Sequence, residues 1–504
     1  MKNILFFLTN HGRPNMVFEI QAEIIIGHLL KGDIVNIVVD LEGDIFKSQS
    51  VYPKSSAKKI AYNLLFEKLK LILVEFKDQV NIHSYLFKDN ISSSIGDYLK
   101  NDEVLSLKGM EYKGYNIGYG VSSSLITNSR EHKLKIKNNK SKVLREIKVS
   151  EIVIDTIEYY SKLLQPDLVY IFNGRLAANA PLVNFCKNKK INFKVFEFTT
   201  RKDKYHLVDN SIPHDLPYRN KEMEDLWNDE SVNFLEKEKI GKSFFQNQMN
   251  GIELLEESFL KFQDRSFKIN KNKDVKIISF FNSSIDEFAS VPNWDEYVYI
   301  YENEVHAIEA ICNRYRDNRS YQFILRIHPN LKFLNNSQIK SLRKLERLAN
   351  LKIIEPDSSV YSYELIKKSD LTIVFGSTIG VEACFLGKPA ISLGKAFYEN
   401  IDVVYFPKTE KELFDLIECN FLKAKPKENT YKYGYWLLSY GEDFKKYEAI
   451  YPNDFFKFST GENRKIVIRR FFSIEVFSWW FNYPVRNIFN LNYLKFKLNK
   501  LNKI

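Results

Sequence analysis

Three short segments in the second half of the chain gather residues able to hold an anion or move a proton. In the first, the apolar run 371–375 leads into Gly376-Ser377-Thr378, a helical stretch carrying Glu382, and then Gly387-Lys388-Pro389. Small residues at a strand-to-helix turn let a phosphate approach main-chain N–H groups at the positive end of a helix dipole. Ser377 or Thr378 would cap that helix. Glu382 falls one turn after Thr378, on the same face, where a carboxylate accepts from a ribose diol. The second segment is Leu325-Arg326-Ile327-His328-Pro329, a strand that ends in His328 with Arg326 two residues earlier. An imidazole at a strand end can donate to a phosphate or transfer a proton, and Arg326 adds a cation. The third is Asn282-Ser283-Ser284 followed by Asp286-Glu287, polar groups and two carboxylates after another apolar run. Each residue also has a plain structural use as a cap, a favourable first-turn acid or a core histidine.

The first half has two comparable turns. Asn10, His11 and Arg13 follow one apolar run, and Asn173 and Arg175 follow another. If the runs are parallel strands, these groups stand at their carboxyl ends, where clefts open in α/β sheets. Arg175 there can grip a carboxylate or phosphate.

The elements that must position these residues read as α/β. Short β-branched and aromatic runs at 4–9, 34–40, 168–172 and 193–198 alternate with helical patterns such as 17–30, and a second set follows at 275–281, 323–328, 351–354, 371–375 and 390–393. Strands alternating with helices predict parallel sheets. The polar stretch 268–274 separates the sets, which divides the chain into a first domain at 1–270, a second at 271–450 and a tail at 451–504. The polar, basic segment 131–148 reads as a loop or a solvated helix.

Composition narrows the class. With 504 residues the chain exceeds one ordinary core, and 44% hydrophobic against 27% charged content excludes disorder as its general state. The four cysteines, Cys186, Cys312, Cys384 and Cys419, form no CxxC pair, which argues against a zinc site or disulfide framework and for a reducing cytoplasm. The first eight residues are too short in apolar character for a signal segment, and no run reaches the roughly 18 apolar residues of a membrane span.

The net charge of +11 is concentrated at the end: from Lys457 onward there are ten Lys or Arg against two Glu. There Trp479, Trp480 and Tyr483 sit among Arg469, Arg470 and Arg486, and Ile488, Leu491, Leu494, Leu498 and Leu501 follow helical spacing beside lysines. Such a basic aromatic helix suits an anionic inner leaflet. It equally suits packing onto the first domain. No nucleic-acid-reading motif accompanies the charge.

The order His328-Pro329, Ser369-Asp370, Gly376-Ser377-Thr378 with Glu382, Gly387-Lys388-Pro389 and Gly394-Lys395-Ala396-Phe397-Tyr398 resembles the capsule polysaccharide biosynthesis family, which includes enzymes similar to the Kdo transferases of capsule assembly. The likeness covers roughly residues 275–398, with Asn282-Ser283 and Asp286-Glu287 included, and the first half only loosely. It implies a GT-B fold: two Rossmann-like domains facing a cleft, donor nucleotide on the second and acceptor on the first. It further implies transfer from a CMP-sugar such as CMP-Kdo, or an NDP-sugar, to a capsule or lipopolysaccharide glycan, lipid-linked acceptors included. No metal or cofactor beyond that co-substrate is implied. By this likeness His328, Ser377 and Thr378 face the donor phosphate and Glu382 the nucleoside; from their own placement at strand ends, Arg326 and Gly376 join the phosphate side, and Asn10, His11, Arg13, Asn173, Arg175, Asn282 and Ser283 line the cleft.

His328, Asp286 and Glu287 are the catalytic candidates. The acidic motif of bacterial sialyltransferases is absent from the first half, so the base stays open between the two carboxylates and a first-domain residue. UDP-GlcNAc 2-epimerases are similar as well, though the turn here is Gly-Ser-Thr and not Asp-Ser-Gly-Gly. An epimerase and a non-catalytic scaffold of polysaccharide assembly remain alternatives. The expected location is the cytoplasm, with possible contact at the inner face of its membrane.

Overall fold

Alternation along the apolar runs sends their side chains to opposite faces of two sheets. In β1 (Asn3–Phe7), Ile4 and Phe6 join one core cluster while Leu5 and Phe7 join another. In β7 (Lys276–Phe281), Ile278 and Phe280 enter one cluster while Ile277 and Phe281 enter another. Strands apolar on both faces need layers on both sides, which is why they occur in parallel sheets covered by helices. The computed structural model describes residues 1–8, 14–40, 73, 76–87, 92–93, 95–201, 203–252, 263–266, 274–294, 298–444, 447–448 and 457–458.

The first sheet contains β1, β2 (Ile34–Val39), β3 (Val80–Ser84), β4 (Leu168–Phe172), β5 (Phe193–Phe198), β6 (Lys204–Asp209) and, from the far end of the chain, β12 (Glu442–Asp443). Its order is β12-β6-β5-β4-β1-β2-β3, parallel from β5 to β3, with β6 and β12 antiparallel at one edge. The second sheet is β9 (Leu351–Ile354), β8 (Tyr321–Arg326), β7, β10 (Leu371–Val374) and β11 (Ala390–Ser392), in that order and wholly parallel. Both parallel portions run out from a central first strand in two directions, the Rossmann-like pattern. The α/β class with two such units is therefore met.

Among the helices are α1 (Pro14–Leu29), α2 (Gly118–Ser129), α3 (Lys140–Leu164), α4 (Ala180–Lys189), α5 (Leu216–Asn228), α6 (Phe234–Asn250), α7 (Glu304–Arg314), α8 (Ser337–Arg343), α9 (Ile379–Phe385) and α10 (Asn429–Ser439). The segment 131–148, expected as loop or solvated helix, is loop and then the start of α3. Its solvated character is corrected, because Val143, Glu146 and Ile147 are fully buried. Met223 of α5 and Phe244 and Phe245 of α6 precede the polar stretch, yet they share a core cluster with Phe385, Tyr433 and Trp436. The boundary at 270 falls among residues outside those described, as does the tail apart from 457–458. Among the described residues no helix is long and apolar enough to cross a membrane.

Candidate functional site

In an open parallel sheet the strand order reverses at one point, and the loops beyond the carboxyl ends of the two strands there diverge into a crevice. In the second sheet that point lies between β7 and β10. The loop after β7 carries Asn282 and Ser283, the turn after β10 carries Gly376, Ser377 and Thr378, and β8 beside them runs into His328.

Hydrogen bonds tie these three loops together. Asn282 Oδ1 accepts the His328 backbone N–H at 2.9 Å, and Ser283 Oγ donates to the Phe375 carbonyl at 2.6 Å. His328 Nδ1 accepts the Asn330 N–H at 3.2 Å, which fixes the ring's proton on Nε2. Burial first, then the neighbouring Arg326 and Arg130 charges, pulls the imidazole down to about 4. At neutral pH the ring is uncharged, and Nε2–H is a donor; with Nδ1 occupied, this tautomer is unsuited to accept a proton.

The turn after β10 is built by backbone packing. Gly376 has φ +82°, and a Cβ there would lie 2.3 Å from the Lys395 carbonyl oxygen. A Cβ on Gly394 would lie 2.7 Å from the Phe375 carbonyl carbon. The two glycine turns interlock main chain to main chain, which accounts for their pairing in the sequence. Tyr398, fully buried, donates its hydroxyl to the Ser377 carbonyl at 2.5 Å. Thr378 stands at the N-cap position of α9 but makes no side-chain cap bond; its hydroxyl donates to Glu382 at 3.2 Å. Ser377 Oγ accepts the Ile379 N–H at 3.4 Å. Glu382 also receives the Tyr363 hydroxyl, and desolvation raises its pKa.

Arg326 lies elsewhere in purpose. It is buried, and its guanidinium donates to the carbonyls of Glu355 and Ser358, the latter at 3.0 Å, so it holds the loop after β9.

The first unit meets the crevice with cations. Asn173 and Gly174 both have positive φ, and this turn after β4 throws Arg175 toward the second unit. Arg175 donates to the Glu287 carbonyl at 2.5 Å and to Thr127 Oγ1 at 3.0 Å, while Asn173 donates to the buried Glu197 at 2.5 Å. Burial pushes Glu197 up to about 7. Asn10, His11 and Arg13 lie outside the described residues.

Asp286 and Glu287 differ sharply. Asp286 is buried, with Oδ1 taking the Ser284 hydroxyl at 2.6 Å and Oδ2 facing Arg130 Nε at 2.5 Å. Glu287 is exposed on the crevice wall and receives the Asn330 amide on Oε1. Its Oε2 has no hydrogen-bond partner among the described residues. A carboxyl on a crevice wall touches water on one side and loses hydration on the others. Desolvation first and the Asp286 charge next raise its pKa.

Arg130 is the main residue that reasoning from the sequence missed. It ends α2 with φ +56°, and its partners lie some 156 to 200 positions away, so no local pattern marks it. Glu131 beside it caps α8, accepting the Ser337 N–H at 2.7 Å. Behind the crevice, Glu304 at the start of α7 is fully buried. Its Oε1 accepts Gln338 at 2.6 Å, Oε2 has no hydrogen-bond partner among the described residues, and burial pushes the group up to about 7.

No family model and no curated protein sequence matches the chain. Solved structures to which it is similar include the Thermosulfurimonas dismutans KpsC beta Kdo 2,4 transferase, 11% identical over 53% of this chain and 79% of that one, with a TM-score of 0.32. The UDP-GlcNAc 2-epimerase of Methanocaldococcus jannaschii, solved with UDP-GlcNAc and UDP, is 15% identical over 72% and 93%, with a TM-score of 0.27. That of Neisseria meningitidis, bound to UDP-GlcNAc, is 14% identical over 78% and 82%, with a TM-score of 0.20.

Proposed function

We propose that the protein is a glycosyltransferase that moves a sugar from a nucleotide-activated donor to a glycan acceptor of a capsule or lipopolysaccharide. The observation that carries this reading is the hydrogen-bonded convergence of Asn282, Ser283, His328 and the Gly376 turn at the switch point of the second sheet, opposite arginines of the first unit. In the reaction, the acceptor oxygen bonds to the anomeric carbon while the bond from that carbon to the phosphate oxygen breaks. The electron pair leaves on the phosphate, and the acceptor proton passes to Glu287. His328 Nε2–H and the main chain at Gly376 to Thr378 donate to the phosphate as its charge grows, a preorganised arrangement that acts most strongly away from water. Glu382 receives the ribose. Of the two carboxylates Glu287 suits the base, because both Asp286 oxygens are already engaged.

The test is a thermal-shift screen against CMP, CDP, UDP, GDP and ADP, since a ligand that binds only the folded state raises its melting temperature. One nucleotide should stabilise the wild type and not His328→Ala. Absence of any shift would sink the reading, and conversion of a nucleotide sugar without an acceptor would replace it with an epimerase.

A further inference from the structure

We infer that Arg130, from the first unit, is a phosphate-binding residue for the donor held by the second unit, and that Asp286 is the group that aims it. This rests on the nucleotide-sugar reading above and adds to it a ligand contact that crosses between the units.

The backbone of Arg130 is fixed at both ends of its reach. Its left-handed φ turns the chain out of α2, and its carbonyl accepts the Asn336 amide at 2.7 Å from the second unit. The side chain is then held at two of its three nitrogens. Nε lies 2.5 Å from Asp286 Oδ2, and NH2 donates to the Asn330 carbonyl at 3.2 Å. That carbonyl belongs to the residue whose N–H fixes the His328 ring. NH1 makes no hydrogen bond among the described residues, and the side chain keeps 36% of its surface exposed.

An arginine that pairs with a carboxylate for stability alone usually does so as a two-bond fork. Here the contact with Asp286 is made by Nε, and Nε makes no aligned hydrogen bond. NH1 is the guanidinium nitrogen left over by these two contacts, and the Arg130 charge is felt at the His328 ring. A guanidinium anchored in this way presents NH1 to an anion with little rotamer freedom left to lose. The anion that fits is the phosphate that His328 would hold. Asp286, buried and already bonded to Ser284, cannot turn toward a substrate and acts as a positioning residue.

The test is titration calorimetry of the full chain with the nucleoside diphosphate that stabilises it, or with CMP in its place where CMP is the stabilising nucleotide, and with the corresponding nucleoside. Arg130→Gln should weaken the diphosphate at least tenfold and leave the nucleoside within twofold. Arg130→Lys, which keeps the charge and loses the fork, should fall between wild type and Arg130→Gln. Asp286→Asn should weaken the diphosphate three- to tenfold through loss of aim. Equal diphosphate binding by wild type and Arg130→Gln would overturn the inference while the nucleotide reading stands. A loss shared equally by nucleoside and diphosphate would make Arg130 a structural clamp and would also overturn it. Binding of none of the screened nucleotides by the wild type, CMP included, would remove both.

Discussion

The side-chain oxygen of Asn282 holds the backbone N–H of His328 at 2.9 Å, so the first residue after one strand sets the height of the loop after the next. Asn282 is 1% exposed, and its amide also donates to the Ser283 carbonyl. Asn282→Ala should cost about 1–3 kcal/mol in urea unfolding, the range for leaving a buried donor unmatched. Nucleotide affinity should fall with it, and Asn282→Asp should restore neither, because its carboxylate loses the amide donated to Ser283 and buries a negative charge beside the proposed phosphate site.

The interlocked glycine turns separate space from backbone conformation. Gly376→Ala meets both a positive φ and the Lys395 carbonyl, and should destabilise by more than about 2 kcal/mol. Gly387 has φ +71° with open space around it, so Gly387→Ala should cost only about 1–2 kcal/mol. Equal losses in denaturant melts would mean that the close approach of the two turns is not retained in solution.

Glu287→Gln should lower turnover by roughly a hundred- to ten-thousandfold, as loss of a general base does, with nucleotide binding unchanged. The acidic limb of the rate profile belongs to a carboxyl that desolvation and the Asp286 charge raise above its ordinary range, so activity should decline as pH falls through that raised value. A variant that keeps its turnover would exclude Glu287 as the base.

Glu304 ties stability to pH. Folding raises its pKa to about 7 from an ordinary 4.5, so between those values the folded chain keeps a proton that the unfolded chain has lost. Its contribution to stability therefore falls as pH rises through 4.5–7 and stays low above. Glu304→Gln removes that dependence, and its melting temperature relative to wild type should climb by a few degrees from pH 5 to pH 8. A constant difference would show that Glu304 ionises normally.

Much of this architecture is written locally. The runs at 168–172, 193–198 and 351–354 are strands with those bounds, because apolar residues dominate them and turn residues flank them. The strand at 80–84, Val-Asn-Ile-His-Ser, escapes such a reading: it lies at a sheet edge with three of its five residues polar, and its place comes from pairing with β2. The same holds at the crevice. Asn282, His328 and Gly376 follow their own strands and could be anticipated. Arg130 and Glu131 could not, since their positions come from α2 packing against another part of the fold. Arg326 has the type and spacing of a ligand residue, but two nearby carbonyls occupy it, and no sequence pattern announces that.

The return of the chain to its starting sheet also bears on how the protein is made. Glu442 and Asp443 pair with Tyr205 and Lys204, and Lys204 donates to the Gly441 carbonyl across 237 positions. A ribosome emits chain at about 5–20 residues per second. The outer edge of β6 thus waits on the order of ten seconds or more for its neighbour, with its hydrogen-bonding groups uncovered. The nascent first unit is exposed to edge-to-edge association throughout that interval. A fragment cut before residue 442 would carry the same hazard permanently, and coexpression of the remainder is the natural remedy.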